Sequence, residues 1–269
     1  VKQAIAILDS GVGGLTVVRE VMRQLPREEI IYFGDTARAP YGPRDPQEVR
    51  QFTREIVAYL MQYDPKMIVI ACNTATAVAL DDIRAMVDVP VVGVIHPGAR
   101  AAIKITRSNR IGVIGTVGTI RSDAYRIALE SISPMVEVYS LACPDFVPLV
   151  EQGLYRSEEA LHVVERSLEP LRGLPLDCLI LGCTHYPFLA DSISQVMGND
   201  VRLISSAEET AREISTILYQ TGRLERTVEL PVHRFFCSGQ PVTFQTIARQ
   251  WLGNQIEVCP VVWQVPQIS

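Results

Sequence analysis

Short apolar runs rich in β-branched residues recur along the chain, at 4–8, 30–34, 67–71, 91–95, 110–114, 136–141, 178–181, 201–204, 233–237 and 256–259. Between most of them, apolar positions return at helical spacing, as in 15–25, 46–62 and 157–171. Strand-sized runs alternating with helical patterns predict an α/β fold with mainly parallel sheets flanked by helices. In such sheets ligands bind beyond the carboxyl ends of the strands, so the residues just after each run carry the functional information.

The pattern also repeats. The segment 6–14, Ala-Ile-Leu-Asp-Ser-Gly-Val-Gly-Gly, joins a strand to a helix, and 112–119, Gly-Val-Ile-Gly-Thr-Val-Gly-Thr, does the same. Ile68-Val69-Ile70-Ala71-Cys72-Asn73-Thr74 is echoed by Leu179-Ile180-Leu181-Gly182-Cys183-Thr184-His185. The run at 91–95 with a helix beyond Pro97 matches the run at 201–204 with a helix beyond Ser206. Each match alone is weak, but three in one order predict a duplication. The expected architecture is two similar lobes related by a pseudo-twofold axis, with the active site in the cleft between them. Lobe one comprises 1–97 plus 207–269, and lobe two 98–206. The helix after 207 returns to lobe one, 221–231 is a polar connection, and the strand–helix–strand pattern of 233–259 completes that lobe.

Composition narrows the function. Hydrophobic residues make up 48% of 269, enough for a sizeable core. No apolar stretch is long enough to span a membrane. The opening Val1-Lys2-Gln3 leads straight into a short run that reads as a buried strand rather than a signal peptide, and the lack of an initial Met suggests trimming. A net charge of −5 with scattered arginines argues against nucleic acid as a partner. None of the six cysteines forms a CxxC pair, so a zinc ribbon or redox dithiol is disfavoured, and a reducing, cytoplasmic compartment with free thiols is expected. Cys143, Cys178, Cys237 and Cys259 read as small buried hydrophobes.

Cys72 and Cys183 sit differently. Each ends an apolar run and is followed by hydroxyl residues able to cap a helix. A thiol facing backbone N–H groups at a helix start has its pKa lowered from ~8.5, where it is about 3% thiolate at neutral pH. A structural thiol is the plain alternative for either one. Two at matching positions of a repeat suit inversion of a carbon centre, with one group removing a proton and the other returning one. Two cysteines are too few for a metal site, and only His185 is obviously near.

The surrounding residues fit a small anionic substrate. Asp9 is either a cap or a partner for an ammonium group or for Cys72. Ser10, Thr116 and Thr119 offer hydroxyls at matching positions, and Asn73, Thr74 and Thr184 flank the thiols. Helix N-termini behind such donors suit carboxylates. His185 can share a proton with Cys183 or stabilise its thiolate. Pro40, Tyr41 and Gly42 form a rigid turn that can present backbone groups over the cleft. The loop Gly11-Val12-Gly13-Gly14 raises a dinucleotide reading, but Thr16 stands where GxGxxG needs glycine, and no Walker GK[ST] follows. Of the three lysines, Lys2, Lys66 and Lys104, none follows a strand end where a pyridoxal phosphate aldimine would form. The expectation is therefore no cofactor and no metal.

Taken together, Leu8-Asp9-Ser10-Gly11-Val12-Gly13-Gly14-Leu15, Pro40-Tyr41-Gly42, Cys72-Asn73-Thr74-Ala75 and Gly182-Cys183-Thr184-His185-Tyr186-Pro187 resemble bacterial glutamate racemases, of the aspartate/glutamate racemase family, over essentially the whole chain. The resemblance implies interconversion of L- and D-glutamate without cofactor, supplying D-glutamate for peptidoglycan, in a homodimer. It implies Cys72 and Cys183 as the acid–base pair, assisted by Asp9, His185 and Glu151. It also implies Asp9, Ser10, Pro40, Tyr41, Gly42, Asn73, Thr74, Thr116, Thr119, Thr184 and His185 as substrate-binding residues. The residues alone leave open an aspartate or other amino-acid racemase, or an amino-acid sensor with inert thiols.

Overall fold

The computed structural model describes residues 3–253 and 258–260. All ten strand-sized runs are strands. They are β1 (Ile5–Asp9), β2 (Ile30–Gly34), β3 (Met67–Ile70), β4 (Val91–Gly93), β5 (Arg110–Gly115), β6 (Glu137–Ala142), β7 (Cys178–Gly182), β8 (Arg202–Ile204), β9 (Arg234–Cys237) and β10 (Val258–Pro260). Positions 256 and 257 of the last expected strand lie outside the described residues. The strands form a six-stranded sheet in the order β10-β9-β2-β1-β3-β4 and a four-stranded sheet in the order β6-β5-β7-β8. Every pairing is parallel.

The two orders contain the repeat. Within the larger sheet, β2-β1-β3-β4 has the same arrangement as β6-β5-β7-β8. The three matched segment pairs thus fall on β1 and β5, β3 and β7, and β4 and β8. Asp9 ends β1 and Thr116 follows β5, while Cys72 and Cys183 lie just beyond β3 and β7.

Alternation along each strand explains the layering. Ile5 and Ile7 face a core shared with α1 (Leu15–Gln24) and α10 (Ser206–Gln220), while Ala6 and Leu8 face a second core under α2 (Pro46–Met61) and α3 (Asn73–Met86). In the smaller sheet, Ile111, Val113 and Ile180 pack under α4 (Ile95–Ile105) and α6 (Ala124–Ile132). Leu179 and Leu181 join the same core as Ile7, so one apolar interior runs continuously between the two sheets. Its remaining cover comes from α7 (Phe146–Glu151), α8 (Glu158–Leu168), α9 (Ala190–Met197) and α11 (Pro241–Leu252), with α5 (Val117–Ser122) at the cleft.

Helix starts follow their local chemistry. Asp45 caps α2 by accepting from the Gln47 N–H at 2.8 Å, with Pro46 at the first position. The helix expected beyond Pro97 instead begins at Ile95, which shortens β4 to Val91–Gly93. Pro97 is tolerated there because the first-turn N–H groups have no helical acceptor. The segment 157–171 is α8 followed by a 3-10 turn at Glu169–Leu171.

All six cysteines are free. Cys143, Cys178 and Cys237 are buried as expected, but Cys259 is exposed. It lies on β10, which has a neighbour on only one side, so burial by the sheet is incomplete. No described helix is long and apolar enough to cross a membrane.

Candidate active site

A small enclosed cavity lies where the carboxyl ends of both sheets meet. It is lined by Ser10, Pro40, Tyr41, Gly42, Cys72, Asn73, Thr74, Thr116, Cys183, Thr184 and His185, together with Val147. The structure therefore gathers most of the residues singled out in the sequence. Asp9, Thr119 and Glu151 stand one hydrogen bond behind the lining. The open space is only ≈10 Å³, about the room one water needs.

On the first side, Cys72 is itself the N-cap of α3, its Sγ accepting from the Ala75 N–H at 3.4 Å. The thiol also lies 3.8 Å from Ser10 Oγ. The sequence led to the expectation of a depressed pKa at this helix start. The structure reverses it, since burial, and then the Asp9 charge, push Cys72 up to about 12. The Ala75 N–H and the Ser10 hydroxyl act the other way but do not prevail.

Asp9 is fully buried and is not a helix cap. Its Oδ2 accepts from the Gly11 N–H at 3.0 Å, and its Oδ1 accepts from Thr184 Oγ1 at 3.0 Å. Burial raises its pKa above the ordinary carboxyl value, opposed by the charge of His185 and these hydrogen bonds. Asp9 thus sits between the two thiol loops, bonded to the residue after Cys183.

On the second side, no α-helix starts directly after Cys183. A 3-10 turn at Tyr186–Leu189 intervenes before α9, so the helix-dipole effect expected there is replaced by a side-chain cation. His185 Nδ1 lies 3.7 Å from Cys183 Sγ, and its Nε2 is hydrogen-bonded to Glu151 Oε1. Burial alone would lower the imidazole pKa. The Cys183 sulfur and the Glu151 carboxylate outweigh it, holding the pKa well above 6.5. Glu151, at the end of α7, also accepts from the Val12 N–H at 3.1 Å.

The glycine loop gains a tertiary explanation. A methyl group on Gly11 would collide with Glu151 Oε1, and one on Gly13 would lie 2.5 Å from His185 Nδ1. One on Gly14 would lie 2.6 Å from both Asp9 Cβ and the Tyr32 hydroxyl. The loop is bare so that Thr184, His185 and Glu151 can close against it. This is the close-approach use of glycine rather than a phosphate cradle.

A hydroxyl cluster seals the other side of the cavity. Thr74 Oγ1 lies 2.8 Å from Thr116 Oγ1 and 3.2 Å from Thr119 Oγ1, and Thr116 caps α5 through the Thr119 N–H. The Gly118 N–H donates to the Gly42 carbonyl at 2.8 Å, tying the 40–42 turn to the loop after β5. Tyr41 donates from its hydroxyl to Asp35, which also accepts from Arg38 Nε and Ser238 Oγ, each at 2.6 Å.

Among the described residues, no three His, Cys, Asp or Glu side chains converge as a metal site. Lys66 is buried in an ion pair with Glu28 just before β3, at the end of that strand away from Cys72. Sequence reasoning missed Val147 on α7 and Tyr125 on α6, whose hydroxyl donates to Asn73 Oδ1. Both sit in the first turn of a short helix and carry no local mark distinguishing them from ordinary core.

The pattern of the family described as Asp/Glu/Hydantoin racemase matches residues 9–214. A curated glutamate racemase from Bacillus cereus is 55% identical over 95% of both chains. The crystal structure of a glutamate racemase isoform from Bacillus anthracis superposes with a TM-score of 0.93 at 50% identity, covering 96% of this chain and 97% of the other. The glutamate racemase of Francisella tularensis in complex with D-glutamate does so with a TM-score of 0.89 at 33% identity, covering 97% of each. The chain belongs to the Asp/Glu/Hydantoin racemase family, among the glutamate racemases.

Proposed function

We propose that this protein interconverts L- and D-glutamate without a cofactor, using Cys72 and Cys183 on opposite faces of the α-carbon. The observation that carries this reading is that both thiols, each just beyond an equivalent strand of the two sheets, line one cavity. One sulfur takes the α-proton as thiolate while the other delivers its own as thiol, and the roles exchange in the reverse direction.

The charge balance suits an anionic substrate without a Lys or Arg in the lining. Ser10, Asn73, Thr74, Thr116 and Thr184 supply neutral donors to the two carboxylates, with the start of α3 behind them. Thr119 holds Thr74 and Thr116 in place, and Pro40, Tyr41 and Gly42 wall the cavity. Asp9 faces the ammonium group and adjusts the proton on Cys72. His185, held by Glu151, does the same for Cys183. The α-carbon is a very weak acid, so its carbanion needs these fixed donors in a site nearly free of water.

The remaining parts of the reading follow the same support. Lobe one is 1–97 with 207–269, carrying β1 to β4, β9 and β10; lobe two is 98–206, carrying β5 to β8. Free thiols fit the cytoplasm, where D-glutamate would feed peptidoglycan synthesis. A homodimer is in keeping with the exposed apolar side chains of Val228 and Leu230.

The test is racemisation by dialysed, chelator-treated protein. L-Glutamate should lose its optical rotation and aspartate should hardly change. Cys72→Ser and Cys183→Ser should each slow the reaction by roughly a hundred- to ten-thousandfold. A requirement for pyridoxal phosphate or a divalent metal, or full activity in either variant, would sink the proposal.

A further inference from the structure

One tyrosine touches the chain beside both thiols. Tyr125, on α6, is buried at 3% exposure and belongs to none of the cavity walls. Its ring packs on Gly182, the residue before Cys183, where even a methyl group would come within 3.0 Å of the ring. Its hydroxyl donates to Oδ1 of Asn73, the residue after Cys72. The ring also lies against Gly98 of α4, 3.3 Å from where a methyl group there would sit.

A tyrosine hydroxyl both donates and accepts, so its direction must be fixed from elsewhere. Here the ring, held against Gly182 and Gly98, aims the hydroxyl at Asn73 Oδ1, to which it donates. Asn73 Oδ1 is thereby the acceptor of this bond. The consequence falls on the other end of the amide. Asn73 Nδ2 is buried and has no hydrogen-bond partner among the described residues, while Asn73 lines the cavity. An unpaired buried donor is costly unless something occupies it part of the time.

We infer that Tyr125 is a positioning residue: packed against Gly182 and Gly98, it locks the Asn73 amide with Oδ1 turned away and Nδ2 presented to a carboxylate of the substrate. A free amide rotates between two orientations, and the wrong one would set a carbonyl oxygen against the carboxylate. The inference rests on the racemase reading for the identity of the ligand, but the locking of the amide does not.

Two measurements separate the two claims. Tyr125→Phe keeps the ring that packs on Gly182 and removes only the hydroxyl. KM for both glutamate enantiomers should rise about five- to tenfold, as expected for one lost hydrogen bond of ordinary strength, while kcat changes less than twofold because neither thiol is touched. The same substitution in an Asn73→Ala background should add almost nothing. An unchanged KM, a collapse of kcat alone, or additive effects in the double variant would overturn the inference. The second measurement needs no substrate. The chain has four asparagines, and Asn73→Ala identifies the side-chain amide resonances of Asn73 in asparagine-labelled protein. That pair should be dispersed and slowly exchanging in the unmodified protein and should lose both properties in Tyr125→Phe. Amide resonances indifferent to the substitution refute the locking. Locked resonances in a protein that does not racemise glutamate would instead remove the functional reading and leave the positioning intact.

Discussion

Cys72 and Cys183 face one cavity with unlike partners. Cys72 has a serine hydroxyl, one backbone N–H and a buried carboxylate whose charge opposes a second negative charge. Cys183 has an imidazole clamped by Glu151. The two directions of reaction therefore load different partners, and their maximal rates need not change together when one partner is altered. Glu151→Gln tests this. Glu151 is among the causes that hold the His185 pKa well above 6.5. The imidazolium therefore persists as pH rises past 6.5 and is lost only at the raised pKa. Without the carboxylate charge it is lost at lower pH. The alkaline limb of kcat should move toward acid, and unequally for the two directions. Unmoved limbs in both directions would remove Glu151 from any part in the proton balance. The meeting of both thiols at one cavity was legible in the sequence because each lies within two residues of the end of a buried strand. The state of Cys72 was not. Capping is a local property and favours the thiolate, whereas desolvation depends on the whole surrounding and overrides it.

At the level of elements, the site is made by loops that leave strand ends and press on one another. The Gly11–Gly14 loop is the clearest case, since the space over Gly11 and Gly13 is filled by residues more than a hundred positions away. Gly13→Ala should be destabilising by about 1–3 kcal/mol through overpacking against Thr184 and His185. It should also cut activity far more than stability, because the clash displaces the imidazole beside Cys183. Gly222→Ala is the informative comparison. Gly222 has φ +68° with nothing near its absent side chain, so alanine there meets only backbone strain of ~1 kcal/mol. Paired thermal melts and rates decide the matter. Equal loss of stability with unimpaired rate in Gly13→Ala would refute the close-approach role. The strands themselves were readable because a parallel strand covered on both faces is a nearly unbroken apolar run. Their ends were less so, as at Ile95, where a helix begins two residues before a proline that the sequence placed ahead of the helix. Tyr125 and Val147 were not readable at all, since the buried face of a helix presents aromatic and aliphatic side chains to core and cavity alike.

At the scale of the whole molecule, the shared strand order turns two loops of the repeat toward one space, and cross-links then close it. The Gly118–Gly42 backbone bond, the Thr74–Thr116–Thr119 cluster and the Asp9–Thr184 bond all join the β1–β4 repeat to the β5–β8 repeat. A space of ≈10 Å³ is too small for glutamate, so binding requires the site to open and close again around the substrate. Closure has a consequence for the hydrogen that moves. Under the two-thiol proposal, a proton taken by one sulfur while the site is shut has no bulk water to exchange with and lies on the wrong face to return as product. The product hydrogen would then come from the other sulfur, which last met solvent when the site was open. In heavy water that sulfur carries deuterium. Early product should therefore be deuterated at the α-carbon while the remaining substrate stays largely protiated, in both directions. A single base serving both faces would carry some of the original hydrogen across. Mass spectrometry of the first few per cent of product distinguishes the two, and substantial protium there would defeat the two-thiol mechanism even if both cysteines proved indispensable.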